Sequence, residues 1–215
     1  MTRTLSEAES KRVLAGHGVP VLDERLAATP DEAVAAADGL GYPVVVKACG
    51  AGIAHKTERG LVRLGLADAT AVRSAAADVL AAVDASDGPV ELLIAPMVRG
   101  TRELIAGLHD DPQFGRCVMV GLGGILAEAV GDVAFRLVPV EPVDVDEMLE
   151  ELGAQAILGE FRGEPPVERA ALGEVLLGLS HFAESDPAVV AVDVNPLVVV
   201  DGRPVAVDAL VEVAE

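Results

Sequence analysis

The stretch VDVNPLVVVDGRPVAVDA, residues 192–209, decides more about the fold than any other part of the chain. Two apolar runs flank the dipeptide Asp201-Gly202, which strongly favours a two-residue β-hairpin turn. Paired residues in such a hairpin have numbers that sum to 403, as 201 and 202 do, so Asn195 is predicted to lie opposite Asp208. Asp193 precedes Asn195 by two positions and therefore points to the same face of the strand.

Three oxygen-bearing side chains are thus predicted to converge on one patch of an otherwise apolar hairpin. Buried polar groups need partners, and a hard cation held by carboxylate and amide oxygens is one solution. Mg²⁺ suits this patch best, because it typically takes one or two carboxylates together with phosphate oxygens and water. The alternative is a solvent-facing edge with ordinary polar residues. Spacing alone leaves both interpretations open, since Pro196 can shift the register.

The composition excludes several functional classes. The 215 residues suffice for one large domain or two small ones, and the 51 % of apolar residues can form a core. Acidic residues outnumber basic ones 35 to 16, which argues against nucleic-acid binding, because clustered Lys and Arg hold phosphate backbones. With 2 % aromatic residues and no Trp, a base-stacking surface is not expected. Only three basic residues are lysines, which makes each one notable: Lys11, Lys47 and Lys56.

Cysteine usage and the N-terminal sequence indicate a cytoplasmic location. Cys49 and Cys117 are too few for a disulfide framework, and no Cys or His spacing suggests zinc. The N-terminal residues carry charges throughout and lack the apolar stretch of a signal peptide. No run approaches the roughly 18 apolar residues of a membrane helix, so we expect no membrane association.

Helix and strand signals alternate without a regular βαβ repeat, which predicts an α+β (α/β) arrangement of two packed subdomains. Capping signals at Ser6–Glu9 and Thr29–Glu32 predict helices over 6–16 and from 29 to about 39. Further helices are predicted at 68–85, 144–158 and 166–185. Strands are predicted at 20–28, 42–47, 61–66, 90–97, 102–109, 116–121, 133–138, 188–194, 197–200 and 203–211.

A lysine and a glycine-rich loop form a second candidate site. Lys47 ends the predicted strand, and the following ACGAGIAHKT segment carries His55 and Lys56. A strand-ending lysine before such a loop is typical of phosphate binding, although the spacing of a Walker loop is absent. The alternative is a lysine that reaches solvent. A neutral imidazole beside cations can relay a phosphoryl group, but a lone loop histidine is more often inert.

A glycine cluster at 121–124 is a weaker signal. It allows the backbone to approach a phosphate closely, and Glu128 follows it. It is equally consistent with a tight turn between strands.

Four stretches together resemble the ATP-grasp domain of the ADP-forming acyl-CoA synthetases (acetate–CoA ligase, β subunit), and more distantly succinyl-CoA synthetase β. They span nearly the whole chain, in this order: YPVVVKACGAGIAHKTERGLVRL, ELIAGLHDDPQFGRCVMVGLGGILAE, VAFRLVPV and VDVNPLVVVDGRPVAVDA. The resemblance implies an ATP-grasp fold with ATP or ADP between two subdomains. It implies an N-terminal helix (1–19) packed on the C-terminal subdomain, an N-terminal lid subdomain (20–97) and a C-terminal subdomain (98–215).

The resemblance also implies roles for individual residues. Lys47 matches the lysine that contacts the nucleotide phosphates, residues 94–98 match the hinge whose backbone reads adenine, and His55 matches a histidine that passes phosphate from a partner subunit to ADP. The implied nucleotide-binding set is Lys47, Ile53, Ala54, Ile94, Ala95, Met97, Val98 and Glu103. The implied phosphate loop comprises Gly123, Gly124, Glu128 and Arg136, and the implied Mg²⁺ ligands are Asn195 and Asp208, with Asp193 as the nearby acid.

Some positions depart from the family pattern. Ala95 stands where the hinge commonly has Gln or Glu, which removes one polar contact to the nucleotide. Gly50-Ala51 replaces the usual Ser-Pro after the lysine. The family's Asp and second Gly after the HKT segment are Glu58 and Leu61 here.

The sequence therefore predicts the nucleotide-binding subunit of an ADP-forming acyl-CoA synthetase. The expected reaction converts acyl-CoA, ADP and phosphate into a carboxylic acid, CoA and ATP, with Mg²⁺ and a CoA-binding α subunit as partner. One alternative is a regulatory ATP-grasp module that binds nucleotide without turnover. The other is an ATP-grasp carboxylate–amine ligase that forms an acyl phosphate.

Overall fold

A computed structural model describes residues 2–53, 56–124 and 131–215 of the chain. Three predicted site residues, Ala54, His55 and Glu128, lie outside these ranges. Within them, no helix combines the length and the apolar composition that crossing a lipid bilayer requires.

The described chain divides into two compact units. One contains the residues up to Arg3, Ser10–Val21 and Val98–Glu215, and the other contains Thr4–Glu9 and Leu22–Met97. We expected all of 1–19 to group with the C-terminal part. Residues 4–9 group with the second unit instead, because Glu7 forms ion pairs with lysines of that unit.

The first unit is built on a sheet with the strand order β1-β11-β9-β6-β7-β8, in which β10 also pairs with β9. Period-two alternation buries one face of its central strands, including Leu104, Val118, Val120, Val192 and Val194. The strands are β1 (Thr2–Thr4), β6 (Glu103–Asp111), β7 (Gly115–Leu122), β8 (Val133–Leu137), β9 (Val189–Val200), β10 (Arg203–Ala206) and β11 (Ala209–Ala214).

Helices cover the buried face of this sheet. The longest of them, α6, spans the 17 residues Arg169–Ser185. It packs on β6 and β7 through buried residues that recur at helical spacing, such as Leu172, Val175, Leu176 and Leu179. The helices α4 (Pro142–Glu151) and α5 (Gln155–Leu158) precede it. Helix α1 (Glu7–Gly16) begins at the predicted capping box, in which the Ser6 N–H donates to Glu9 Oε2 over 2.9 Å.

The second unit is a four-stranded antiparallel sheet with two helices. Its order is β2 (Arg25–Ala27), β5 (Glu91–Pro96), β3 (Val44–Cys49) and β4 (Val62–Leu66). Helices α2 (Pro30–Leu40) and α3 (Ala69–Ala82) pack against it, and a single turn of 3₁₀ helix follows at Ala85–Asp87. Small and β-branched residues fill the core between them, including Ala37, Val44, Val46, Val72, Ala76 and Ile94.

The structure corrects several predicted boundaries. The helix predicted at 144–158 is two helices, because the Asp132 carboxylate accepts the N–H groups of Gly153 and Ala154 between them at 2.7 and 2.8 Å. The strands predicted at 188–194 and 197–200 are the single strand β9. The strand predicted at 203–211 is interrupted at 207–208, and the one at 20–28 shortens to β2.

The predicted Asp201-Gly202 turn is confirmed by its backbone geometry. Both residues have positive φ, 49° at Asp201 and 83° at Gly202, as the favoured two-residue hairpin turn requires. A Cβ at Gly202 would lie 2.7 Å from the Pro166 carbonyl oxygen, so the turn is also packed closely against the segment before α6.

We therefore expect Gly202→Ala to destabilise the protein by about 1–3 kcal/mol, through left-handed backbone strain and the close contact with Pro166. Gly16→Ala is the control, because Gly16 lacks a positive φ and a Cβ placed there would meet no atom within 4 Å. Urea unfolding followed by circular dichroism measures both variants. Equal midpoints for the two variants would contradict this account of the turn.

Candidate functional site

The C-terminal hairpin has the predicted register. Ala209 pairs with Val194 and Leu210 pairs with Asp193, so each pair of numbers sums to 403. The next pair towards the turn keeps the same sum, since the Asn195 N–H donates to the Asp208 carbonyl oxygen over 3.3 Å. Pro196 does not shift the pairing within this hairpin, although the pairing of β9 with β6 shifts by one residue between Val194 and Leu197. Asn195 and Asp208 are therefore direct neighbours across the two strands.

The alternation of β9 directs the polar residues of this hairpin away from the core. Val192 and Val194 are buried, whereas Asp193 and Asn195 are exposed and Asp208 is half-buried. Asp193 and Asn195 thus share the less buried face of β9, and Asp208 lies next to Asn195 across the hairpin. Asp193, Asn195 and Asp208 stay the candidate oxygen donors for a cation.

The charges at this patch influence each other. Asp193 keeps contact with solvent, yet protein atoms around its carboxylate remove part of its hydration and raise its pKa. Repulsion by the Asp208 carboxylate raises the pKa further. A cation bound beside Asp193 and Asp208 would lower the pKa of both acids, because a positive charge favours their charged form.

The number and type of these oxygen atoms fit Mg²⁺, which usually takes only one or two carboxylates from a protein. Across the described ranges, no cluster of three or more His, Cys, Asp or Glu side chains could hold a metal ion. The hairpin instead offers two carboxylates and an amide oxygen, which leaves further coordination positions to phosphate oxygens and water. These residues fit Mg²⁺ in company with a phosphorylated ligand better than a metal bound by protein alone.

Helix α1 anchors the hairpin through two residues to which the sequence patterns assign no role. The Lys11 side chain is 2 % exposed, and its Nζ donates to the Val207 carbonyl oxygen over 2.8 Å, directly before Asp208. Ser10 Oγ accepts the Val211 N–H over 3.0 Å. The scarcity of lysine was the one sequence signal that singled out Lys11.

Lys47 does not reach solvent. It lies within β3, which continues to Cys49, and it is 8 % exposed. Its Nζ donates to Glu7 Oε1 over 2.6 Å, and Lys56 Nζ contacts the other oxygen of the same carboxylate. The burial excludes the alternative of a solvated strand-ending lysine. Nothing local in the sequence indicates Glu7 as the partner, because 40 residues separate it from Lys47.

Part of the predicted hinge, residues 94–97, is already hydrogen-bonded within the second unit. Ile94 and Ala95 are buried in β5 and pair with Val46 and Val45 of β3. The Met97 N–H donates to the Pro43 carbonyl oxygen over 2.9 Å, so this N–H already has a protein acceptor. Val98 follows and belongs to the first unit.

The glycine cluster packs against Glu103. The Gly123 N–H donates to the Glu103 carbonyl oxygen over 2.8 Å, and a Cβ at Gly124 would lie 3.4 Å from Glu103 Oε2. Gly123 and Gly124 thus lie next to the predicted nucleotide-contacting acid. The N–H group of Gly123 is thus already bonded within the protein.

Two further predicted residues have structural contacts. Arg136 on β8 binds Glu151 of α4 at 2.7 Å and Glu147 at 3.1 Å, and these carboxylates raise its pKa. Its guanidinium group is therefore paired with carboxylates of α4. Ile53 is half-buried against the core of the second unit, and its N–H donates to the Gly50 carbonyl oxygen over 3.2 Å.

Comparison with known proteins adds relatives that match nearly the whole chain. The β subunit of acetate–CoA ligase [ADP-forming] I from Pyrococcus furiosus is 35 % identical over 210 residues, which cover 96 % of this chain and 90 % of the relative. A structure of the acetyl-coenzyme A synthetase 1 of Ca. Korarchaeum cryptofilum in complex with coenzyme A, Ca-AMPCP and HgCl⁺ has a TM-score of 0.92 at 32 % identity, over 99 % of this chain and 94 % of that one.

A second structure of the same synthetase contains coenzyme A and Mg-AMPPCP, with a phosphohistidine segment pointing towards the nucleotide binding site. It has a TM-score of 0.86 at 31 % identity, over 99 % of this chain and 93 % of that one. The profile of the ATP-grasp domain matches residues 1–213. The chain, with its mixed helix and sheet architecture, therefore belongs to the ATP-grasp domain family.

Proposed function

We propose that the chain is the nucleotide-binding β subunit of an ADP-forming acyl-CoA synthetase. The opposition of Asn195 and Asp208 on the hairpin is the observation that carries this proposal, because it supplies a cation site of the kind that nucleotide phosphates complete. The close relatives are ADP-forming acetate–CoA ligases, which favours this function over a regulatory module or a carboxylate–amine ligase. The net reaction converts acyl-CoA, ADP and phosphate into a carboxylic acid, CoA and ATP.

Asn195 and Asp208 are the proposed Mg²⁺ ligands, with Asp193 as an additional acid. When bound, Mg²⁺ neutralises negative charge on the transferred phosphoryl group and orients the phosphate oxygens. The chain's own contribution is to hold the donors in fixed positions. The β9–β11 register sets the position of Asn195, and the Lys11 contact to Val207 restrains the backbone that carries Asp208.

Lys47 is the proposed phosphate-binding cation. An ammonium group is attracted to phosphate as a point charge, and burial strengthens this attraction because little water screens it. The side chain is held within β3 and by Glu7, so little side-chain entropy remains to be lost when phosphate binds. Glu103 and the segment around Ile94, Ala95, Met97 and Val98 are the further proposed nucleotide contacts.

His55 is the proposed phosphoryl relay, on the basis of the family resemblance. The N–P bond of a phosphohistidine on this residue breaks as an oxygen of the ADP β-phosphate forms the new P–O bond, which yields ATP and neutral histidine. In the related synthetase with Mg-AMPPCP, a phosphohistidine segment points towards the nucleotide binding site. This orientation supports nucleotide-directed histidine chemistry in the family.

A CoA-binding α subunit is the proposed partner. The relative from Pyrococcus furiosus is named as a β subunit, and the structures of the related synthetase contain coenzyme A. The partner would bind the acyl-CoA and generate the phosphoryl group that reaches His55. Nucleic acid is not proposed as a partner, because the net charge of −19 repels its phosphates.

Asp208→Ala is expected to raise the Kd for Mg-ADP by about tenfold or more, because a lost contact to a charged group is worth about 1.5–3 kcal/mol. Isothermal titration calorimetry measures this change. Asp201→Asn is the matched control, because it removes one carboxylate from the turn of the same hairpin while Asn tolerates the left-handed backbone. An equal loss of affinity in both variants would point to net charge and contradict the cation site.

His55→Ala is expected to abolish acid-labile labelling of the chain by radioactive ATP while nucleotide affinity stays unchanged. The relay needs the imidazole nitrogen as nucleophile, whereas nucleotide binding depends on other residues. Labelling is measured in the presence of Mg²⁺ with the partner subunit. His109→Ala is the control, since His109 is an exposed histidine on β6. Persistent acid-labile label in His55→Ala would contradict the relay.

A further inference from the structure

Glu7 joins two lysines from different segments of the second unit. Its Oε1 accepts a hydrogen bond from Lys47 Nζ over 2.6 Å, and its Oε2 contacts Lys56 Nζ. The Glu7 side chain is 3 % exposed, against 10 % for Lys47 and 16 % for Lys56. The acid is therefore the most deeply buried member of the three, and both lysines are more accessible to solvent than the carboxylate.

The backbone fixes where both lysines begin. Lys47 pairs with Val62 in the β3–β4 ladder. The Lys56 carbonyl oxygen accepts the Leu61 N–H over 2.8 Å, and the Leu61 carbonyl oxygen accepts the Ala48 N–H over 2.9 Å. The segment of Lys56 is thus tied to the strand of Lys47 through Leu61, and the shared carboxylate sets the spacing of the two ammonium groups.

The electrostatics favour a role beyond stability. Bringing two ammonium groups together away from water is costly, and a carboxylate between them offsets their repulsion. A buried ion pair is weak support for stability, because apolar residues of similar volume often serve as well. This chain has only three lysines, and two of them share one acid.

We propose that Lys56 is a second phosphate-binding cation and that Glu7 is the positioning residue that holds Lys47 and Lys56 as a pair. The inference rests on the proposed function, in which Lys47 binds nucleotide phosphates. The ligand class is a nucleoside di- or triphosphate, whose adjacent phosphoryl groups provide two anionic centres for two ammonium groups. The nucleoside part makes no contact with this pair.

Lys56→Met tests the phosphate contact, because Met keeps the apolar stem and removes the charge. We expect the Kd for ADP to rise about tenfold, the value of one charge-assisted contact, while the Kd for adenosine is unchanged. Lys47→Met is measured alongside and is expected to show the same selective loss. Isothermal titration calorimetry on the full chain gives the Kd of each variant for ADP and for adenosine. Circular dichroism verifies that each variant is folded.

Glu7→Gln tests the positioning role. We expect Lys47 and Lys56 to react faster with acetic anhydride, while Lys11, which bonds Val207 in the other unit, provides the unchanged internal reference. Mass spectrometry resolves the three lysines individually. The Kd for ADP is expected to rise in the same variant. Glu9→Gln is the control, because Glu9 is an acid of the same helical turn whose carboxylate accepts the N–H and O–H groups of Ser6.

The outcomes separate this inference from the proposed function. Absence of ADP binding by the wild-type chain overturns both. Weaker ADP binding in Lys47→Met but not in Lys56→Met overturns this inference alone, and so does an equal loss of ADP and adenosine affinity in Lys56→Met. Unchanged lysine reactivity in Glu7→Gln overturns the positioning role. If Glu7→Gln does not fold, Lys56→Met decides the question.

Discussion

The antiparallel register of the C-terminal hairpin is the constraint on which the candidate cation site depends. Side chains alternate across a strand, so a slip of one residue would turn Asp193 and Asn195 into the apolar core and Val194 towards solvent. Burying these polar groups without partners would cost several kcal/mol, on the order of 1–3 for each group. The positive-φ turn at Asp201-Gly202 and the anchors from Ser10 and Lys11 all enforce the same pairing.

Burial of lysine is the second organising feature. The chain carries 35 acidic and 16 basic residues, yet the two lysines that we propose to bind phosphate are buried or partly buried in the second unit and share the Glu7 carboxylate. The net negative charge of the protein repels a nucleotide at long range, because the nucleotide is itself an anion. Affinity must therefore come from a few desolvated, preoriented cations, and Glu7 and the β3 backbone supply this preorientation.

Local chemistry made much of the fold predictable from the sequence. The Asp201-Gly202 turn determined the hairpin pairing, and the capping residues Ser6 and Thr29 marked the starts of two helices. Each of these signals acts over a few residues, which is why sequence alone reveals it. The one helix that was misjudged is broken by Asp132, a residue 21 positions away from Gly153.

The contacts that could not be predicted join residues far apart in the chain. Glu7 meets Lys47 across 40 positions and Lys11 meets Val207 across 196, and no periodicity encodes either contact. The Arg136 contacts with α4 could not be predicted from the sequence either, since a lone arginine on a strand has no preferred partner there. The family resemblance identified the candidate residues. Only the structure shows the side chains that contact them or their neighbours, such as Glu7 beside Lys47 and Lys11 beside Val207.

The placement of the lysines has a consequence for the chemical durability of the protein. Thioesters and acyl phosphates spontaneously acylate accessible amines, and the proposed activity exposes this chain to such compounds continuously. Lys11 and Lys47 are buried, and Lys56 is only partly accessible, while the thirteen remaining basic side chains are guanidinium groups that acyl donors modify far less readily. The surface thus offers reactive metabolites almost no lysine to damage.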